Sequence, residues 1–257
     1  MFFACETEVK NPYLLYEPKL VIRAFLYADE VVQGITISKT IHPLAPSKQL
    51  ESSFIKDAKV IISTQEMDFK CYYNGSSYCC DELYLQAGET YNLSVKYEDM
   101  IATATTIIPD FNIEKVYYTI DSGYYNSFYN FRAKMYAKIS SSKPFSFYSW
   151  DMQEDMYDMH GTPTMGRYDP KINSSSNILL KFSSANSSSY LFNYFIKNFK
   201  DTLFICDETL YSYYMSKSDY DDWSIFGSNG VNPIWNVKGD GIGLFIGCNK
   251  KEVKYNN

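Results

Sequence analysis

The chain has 257 residues with 24 basic and 30 acidic side chains, a net charge of −6 at pH 7, and 46% of it is hydrophobic. That apolar fraction is too high for a disordered polymer and sufficient for a packed core. An acidic balance with no long Lys/Arg cluster excludes the phosphate-neutralising surface on which a nucleic-acid binder depends.

The chain opens Met1-Phe2-Phe3-Ala4-Cys5-Glu6-Thr7-Glu8. An apolar stub ending in a small residue before a cysteine resembles the end of a bacterial lipoprotein signal peptide, in which the cysteine is acylated and becomes the mature amino terminus. A complete signal peptide needs a charged start and about 7–15 apolar residues, so the expectation is lipidation at Cys5 from a start lying upstream, against an ordinary terminal cysteine. No apolar run reaches the ~18 residues of a membrane-spanning helix. Residues 1–17, with Pro12, are read as a lipobox remnant and tether.

From Leu20 the pattern becomes one of strands. Aromatic residues are 18% of the chain, with 25 Tyr and 17 Phe, and aromatic and β-branched residues suit a pleated, half-buried surface. Leu20 to Tyr27 has strand length, Gly34 to Ile41 alternates apolar and polar, and Ala58 to Thr64 is a third strand. Phe69 to Cys80 is read as a hairpin with Asn74-Gly75 at its tip. A three-residue loop there places Cys71 opposite Cys79; a four-residue loop places it opposite Cys80. Either pair falls near disulfide range, so Cys71 with Cys79 or Cys80 is the favoured bridge, against three reduced cysteines. Cys206 and Cys248 complete the disulfide candidates. Thr90 to Tyr97 and Ile101 to Ile108 alternate again, and Pro109 closes the block. Short strands separated by turn signals predict an immunoglobulin-like or transthyretin-like β-sandwich over residues 18–109.

Residues 110–257 read as a second, mostly β domain. Its strands are expected at Ile113 to Ile120, Asn130 to Ile139, Phe145 to Trp150, Asn177 to Phe182, Thr202 to Cys206 and Ile242 to Cys248. Asp207 is read as the N-cap of a short helix through Lys217, with Glu208 in its first turn and Leu210, Tyr213 and Tyr214 on its apolar face.

The candidate chemistry is sparse. Asp151, Glu154, Asp155 and Asp158 lie at helical spacing, but any acidic surface segment supplies the paired carboxylates of glycoside hydrolysis; they read as a solvated face. Asp219, Asp221 and Asp222 fail the EF-hand template, lacking its turn glycine and terminal Glu, and leave a loosely bound Ca²⁺ as the metal candidate. Gly239-Asp240-Gly241-Ile242-Gly243 precedes a strand, whereas a dinucleotide fingerprint follows one, so no nucleotide is expected. The two histidines, His42 and His160, have no ligand-like neighbours, and GxSxG, P-loop and HExxH motifs do not occur. No catalytic residue and no cofactor is assigned.

Several segments taken in order resemble one family. They are the Cys5 context, the Leu20 to Leu26 strand, Ile35-Thr36-Ile37-Ser38, Asp57 to Ile62 and Gly88 to Leu93. A strand ending at Pro109, Leu210 to Tyr214, and Pro233 to Phe245 complete the pattern. This order is similar to the Bacteroidetes surface lipoproteins classed as domain of unknown function 4249. The resemblance implies a two-part β protein tethered by lipid to the outer membrane, facing the cell surface, and partnering an outer-membrane β-barrel such as a TonB-dependent transporter. Glu6 and Glu8 resemble the acidic export signal of such proteins. The expectation is therefore a non-enzymatic accessory or binding subunit. The alternative is a free-standing glycan- or peptide-binding module using the tyrosine-rich stretch from Tyr117 to Tyr129, with Tyr124 and Tyr125 as its ligand-binding residues.

Overall fold

The computed structural model describes residues 16–42, 53–125, 128–150, 164–169, 177–186, 200–220 and 233–254, excepting the side chains of 120–125, 128–135, 148–150, 164–166, 168, 178–186, 200–201, 217–220 and 254. The chain is mainly β, with a short helix near its carboxyl end. The strands are β1 (Leu20–Tyr27), β2 (Val31–Lys39), β3 (Lys59–Ser63), β4 (Asp68–Tyr73), β5 (Tyr78–Tyr84), β6 (Thr90–Tyr97), β7 (Met100–Ile107), β8 (Asn112–Tyr125), β9 (Phe128–Ser140), β10 (Phe145–Trp150), β11 (Thr164–Tyr168), β12 (Asn177–Asn186), β13 (Lys200–Cys206), β14 (Lys238–Gly239) and β15 (Gly241–Lys254). The helix, α1, spans Thr209–Tyr220.

The period-two alternation sets the register of the core. In β1, Leu20, Ile22, Ala24 and Leu26 are buried, while Val21, Arg23, Phe25 and Tyr27 face the other way. β2, β3, β6 and β7 contribute Val32, Ile35, Ile37, Val60, Ile62, Leu93, Val95 and Ala102 to the same cluster, and Tyr78 and Tyr91 are enclosed within it. Both buried phenols are hydrogen-bonded, as buried polar groups require: the Ala58 N–H donates to Tyr78 Oη at 2.8 Å and the Gln86 N–H to Tyr91 Oη at 2.8 Å.

Twelve strands form one sheet in the order β11-β10-β13-β15-β1-β2-β5-β4-β3-β6-β7-β14, and β12-β9-β8 form a second. The last long strand lies inside the large sheet. β15 pairs parallel with β1, from Leu20 opposite Gly241 to Tyr27 opposite Cys248, and antiparallel with β13. The sheet therefore runs across the expected boundary at Pro109-Asp110.

The sheet curls until β7 lies against β15. Side chains, rather than a continuous backbone ladder, join them. The Thr106 hydroxyl accepts from the Gly247 N–H at 2.7 Å, Asn249 donates to Pro109 O at 3.1 Å, and the Asp207 carboxylate accepts from the Ile107 N–H at 3.0 Å and from the Thr106 hydroxyl at 3.1 Å. Asn236 pairs with the Phe245 N–H and carbonyl at 2.9 and 2.6 Å and also donates to Thr105 O. Gly247 permits the close approach, since a Cβ there would sit 2.4 Å from Ile107 O.

Beyond β15, the β8–β9 hairpin covers a second core of Phe111, Ala137, Ile139, Phe145, Leu203, Ile205 and Val253. On the opposite face of β13 and β15, α1 covers Cys206, Leu244, Ile246 and Cys248 through Leu210 and Tyr213. Asp207 caps the helix as expected, accepting from the Thr209 N–H at 2.9 Å. Tyr214 is a correction: it is half exposed and touches Tyr213 edge-on, because one residue further round the helix turns it out of the covered stripe.

Candidate binding surface

Three side chains of β1 that face away from the core, Arg23, Phe25 and Tyr27, form one side of a shallow groove of about 370 Å³. Glu30, Gln33, Gly34 and Thr36 form the other. The groove exists because β2 is irregular: its pairing with β5 shifts register between Val31 and Val32 and again between Val32 and Ile35. Gly34 sits in this distortion at φ +77°, where a residue with a Cβ is strained, and no atom lies within 4 Å of the missing Cβ. The wall is thus open where a side chain would otherwise stand.

The floor is aromatic and firmly backed. Phe25 and Tyr27 pack against the cluster of Cys206, Leu210, Leu244, Ile246 and Cys248, alongside Phe204, Tyr213 and Trp235. Tyr27 and Phe204 meet edge to face at 6.5 Å. At one end, Lys250 lies 5.3 Å from the centre of the Tyr27 ring and pairs with Glu30 at 2.5 Å. At the other, the exposed Arg23 guanidinium makes no ion pair among the described residues. The surface thus offers a rigid aromatic strip with one paired and one unpaired cation, suited to a partner bearing a carboxylate beside apolar groups.

A second groove, of about 270 Å³, lies where the β4–β5 hairpin meets the segment before β3. Ile37, Phe54, Ile55, Tyr73, Gly75 and Tyr78 are among its walls. The hairpin loop is held by Asn74, whose Oδ1 accepts from the N–H groups of Ser76 and Ser77 at 3.0 Å each.

The cysteines are arranged differently from the favoured expectation. The bridge present is Cys206–Cys248, between directly opposed residues of β13 and β15. Cys71, Cys79 and Cys80 are free thiols. The hairpin has the four-residue connection, with Tyr73 opposite Tyr78 and Tyr72 opposite Cys79. This register sets Cys71 against Cys80 and turns Cys79 to the other face, ruling out a Cys71–Cys79 bond. There Cys79 Sγ accepts from the Asn74 side-chain amide at 3.1 Å. Burial pushes the Cys71 thiol up to about 12, aided by the adjacent Cys80 and Cys79.

Cys5, Asp151, Glu154, Asp155, Asp158, Asp221 and Asp222 lie outside the described residues, as does the side chain of Asp219. The backbone at Tyr124 and Tyr125 pairs with Tyr129 and Phe128 near the tip of the β8–β9 hairpin, and their side chains also lie outside the description. No cluster of His, Cys, Asp or Glu able to hold a metal occurs among the described residues. The groove itself went unread in the sequence. The available signal was a glycine interrupting an otherwise regular β2, which marks a bulge or a close backbone approach.

The arrangement of strands can be set beside known proteins. A family model described as Domain of unknown function (DUF4249) matches residues 6–254. The chain belongs to this family. The match covers nearly all of the chain, so the DUF4249 unit includes both the groove on β1 and β2 and the carboxyl-terminal strand that backs it. No curated protein and no solved structure matches. No helix among the described residues is long and apolar enough to cross a membrane.

Proposed function

We propose that this DUF4249 chain is a non-catalytic, lipid-anchored protein of the outer membrane, facing the cell surface. In this reading it serves as an accessory or binding subunit of an outer-membrane β-barrel such as a TonB-dependent transporter. The observation that carries the reading is the buried Cys206–Cys248 bridge, since disulfides of this kind persist outside the reducing cytosol. Acylation at Cys5 supplies the anchor, and two or more acyl chains make such anchoring stable. The groove over Phe25 and Tyr27 supplies a preformed contact surface for the partner.

The test is purification of the tagged protein from its native outer membrane in mild detergent, with mass spectrometry of what accompanies it. A stoichiometric β-barrel partner that is lost from an Arg23→Glu variant is the expected result, together with release of a Cys5→Ser variant from the membrane. Unchanged membrane retention of Cys5→Ser overturns the anchor. Recovery of the protein alone favours the second reading, a free-standing glycan- or peptide-binding module. That reading draws on the stacked Tyr117 and Tyr136 rings, 5.4 Å apart, with Lys115 lying over Tyr117.

A further inference from the structure

The β4–β5 hairpin and the β13–β15 pair place cysteines in the same geometric class. In an antiparallel ladder, directly opposed residues alternate between pairs that exchange backbone hydrogen bonds and pairs that do not; the latter are closer, with Cα atoms about 4.5 Å apart. That separation falls within disulfide range. Asp207 lies opposite Gly247 and its N–H donates to Gly247 O at 2.8 Å, so the next pair, Cys206 with Cys248, is a close one. It is bridged. In the hairpin, the Asn74 N–H donates to Ser77 O at 3.0 Å. Counting back along the register, Tyr73 with Tyr78 is a close pair, Tyr72 with Cys79 is hydrogen-bonded, and Cys71 with Cys80 is close again. Both side chains belong to the same core, Cys80 within it and Cys71 packed against it.

We propose that Cys71 and Cys80 are an oxidisable pair, joined as a second cross-strand disulfide by a thiol–disulfide oxidant in the compartment where Cys206 and Cys248 are bridged. The proposal takes from the proposed function only that compartment. One cysteine, as thiolate, attacks the oxidant's disulfide, forming a mixed disulfide and releasing one thiol of the oxidant. The second cysteine, as thiolate, then displaces the other thiol. Two electrons pass to the oxidant, whose two sulfurs leave as thiols carrying the two protons. Cys79 takes no part, because it faces the other side of the hairpin. Closing the bond fixes the base of the loop that walls the second groove.

Trypsin releases residues 71–96 as one peptide, since no Lys or Arg lies between Cys71 and Lys96. The full chain is refolded in a buffer of reduced and oxidised glutathione, denatured, alkylated with iodoacetamide and digested without reduction. The expected peptide carries one alkyl group; the Cys79→Ala variant carries none and the Cys80→Ala variant carries two. Three groups on the native peptide with Cys206–Cys248 bridged would overturn the second pair and leave the export reading standing. Three groups with Cys206 and Cys248 also alkylated would overturn the pair and remove the main support of that reading. A Cys80→Ala peptide carrying none would assign the bond to Cys79, which the register forbids, and so would also overturn the proposal.

Discussion

Replacing Cys206 and Cys248 together by alanine opens a loop whose ends are 42 residues apart in sequence. In the chain-entropy treatment, the cross-link removes about 13 cal/mol/K from the unfolded ensemble for a loop of this length, or about 4 kcal/mol at 25 °C. The loop contains all of α1 and β14, together with the segment between them, so the bridge restrains the cover of the outer aromatic floor as well as the sheet. Both cysteines are fully buried, and alanine leaves no buried polar group unpaired. The loss should therefore reflect mainly the cross-link, with the space left by the two sulfurs adding to it. A domain is stable by roughly 5–15 kcal/mol in total, so the double variant should fold but unfold at a much lower urea concentration, with a larger slope as its unfolded state expands. Equilibrium unfolding monitored by tryptophan fluorescence gives both quantities. A loss below about 1 kcal/mol, with an unchanged slope, would refute the view that this bridge is a principal restraint on the chain.

Two further measurements bear on the sheet and on its titration. A Cβ at Gly243 would stand 1.9 Å from Ile22 O at φ +124°, whereas one at Gly34 would meet nothing within 4 Å at φ +77°. Gly243→Ala should force β1 and β15 apart and cost upwards of about 3 kcal/mol, while Gly34→Ala should cost only about 1 kcal/mol of backbone strain; equal losses in thermal unfolding would refute the close-approach argument. With Cys71 and Cys80 kept reduced, burial raises the Cys71 thiol from 9.0 to about 12 in the folded chain. Its neutral form is thus favoured by folding, and this contribution is complete below pH 9 and lost as the pH climbs towards 12. Tyr78 and Tyr91 are raised by burial in the same direction. Unfolding free energy should therefore fall over that alkaline range, less steeply in a Cys71→Ala variant; identical slopes for the two proteins would remove Cys71 from the account.

What the sequence revealed depended on whether a strand has two distinguishable faces. β1, β6 and β10 begin and end where the alternation and chain punctuation place them. β15 was legible as a buried strand, but a strand buried on both faces carries no periodicity naming its neighbours, so its insertion between β13 and β1 was not. β11 contains Gly166 and β14 has two residues, too little pattern to read. The hairpin arithmetic held the right answer for Cys71 and Cys80 only once the loop was known to have four residues, a choice made by Asn74 capping the turn. The Cys206–Cys248 contact is created by pairing across 42 residues, which no local pattern reports. The groove likewise arises from a register slip around Gly34, visible in sequence as a glycine but not as an opening.

The position of β15 governs when this protein can acquire its shape. Until the final strand has emerged, β1 has no parallel neighbour, β7 has nothing to close against, and Cys206 has no partner. A nascent chain ending before Gly241 should remain an unclosed sheet with the outer edge of β1 unpaired. Closure between ends so far apart is entropically expensive and slow. Under the export reading proposed above, that delay would keep the polypeptide loose enough to be translocated before it folds.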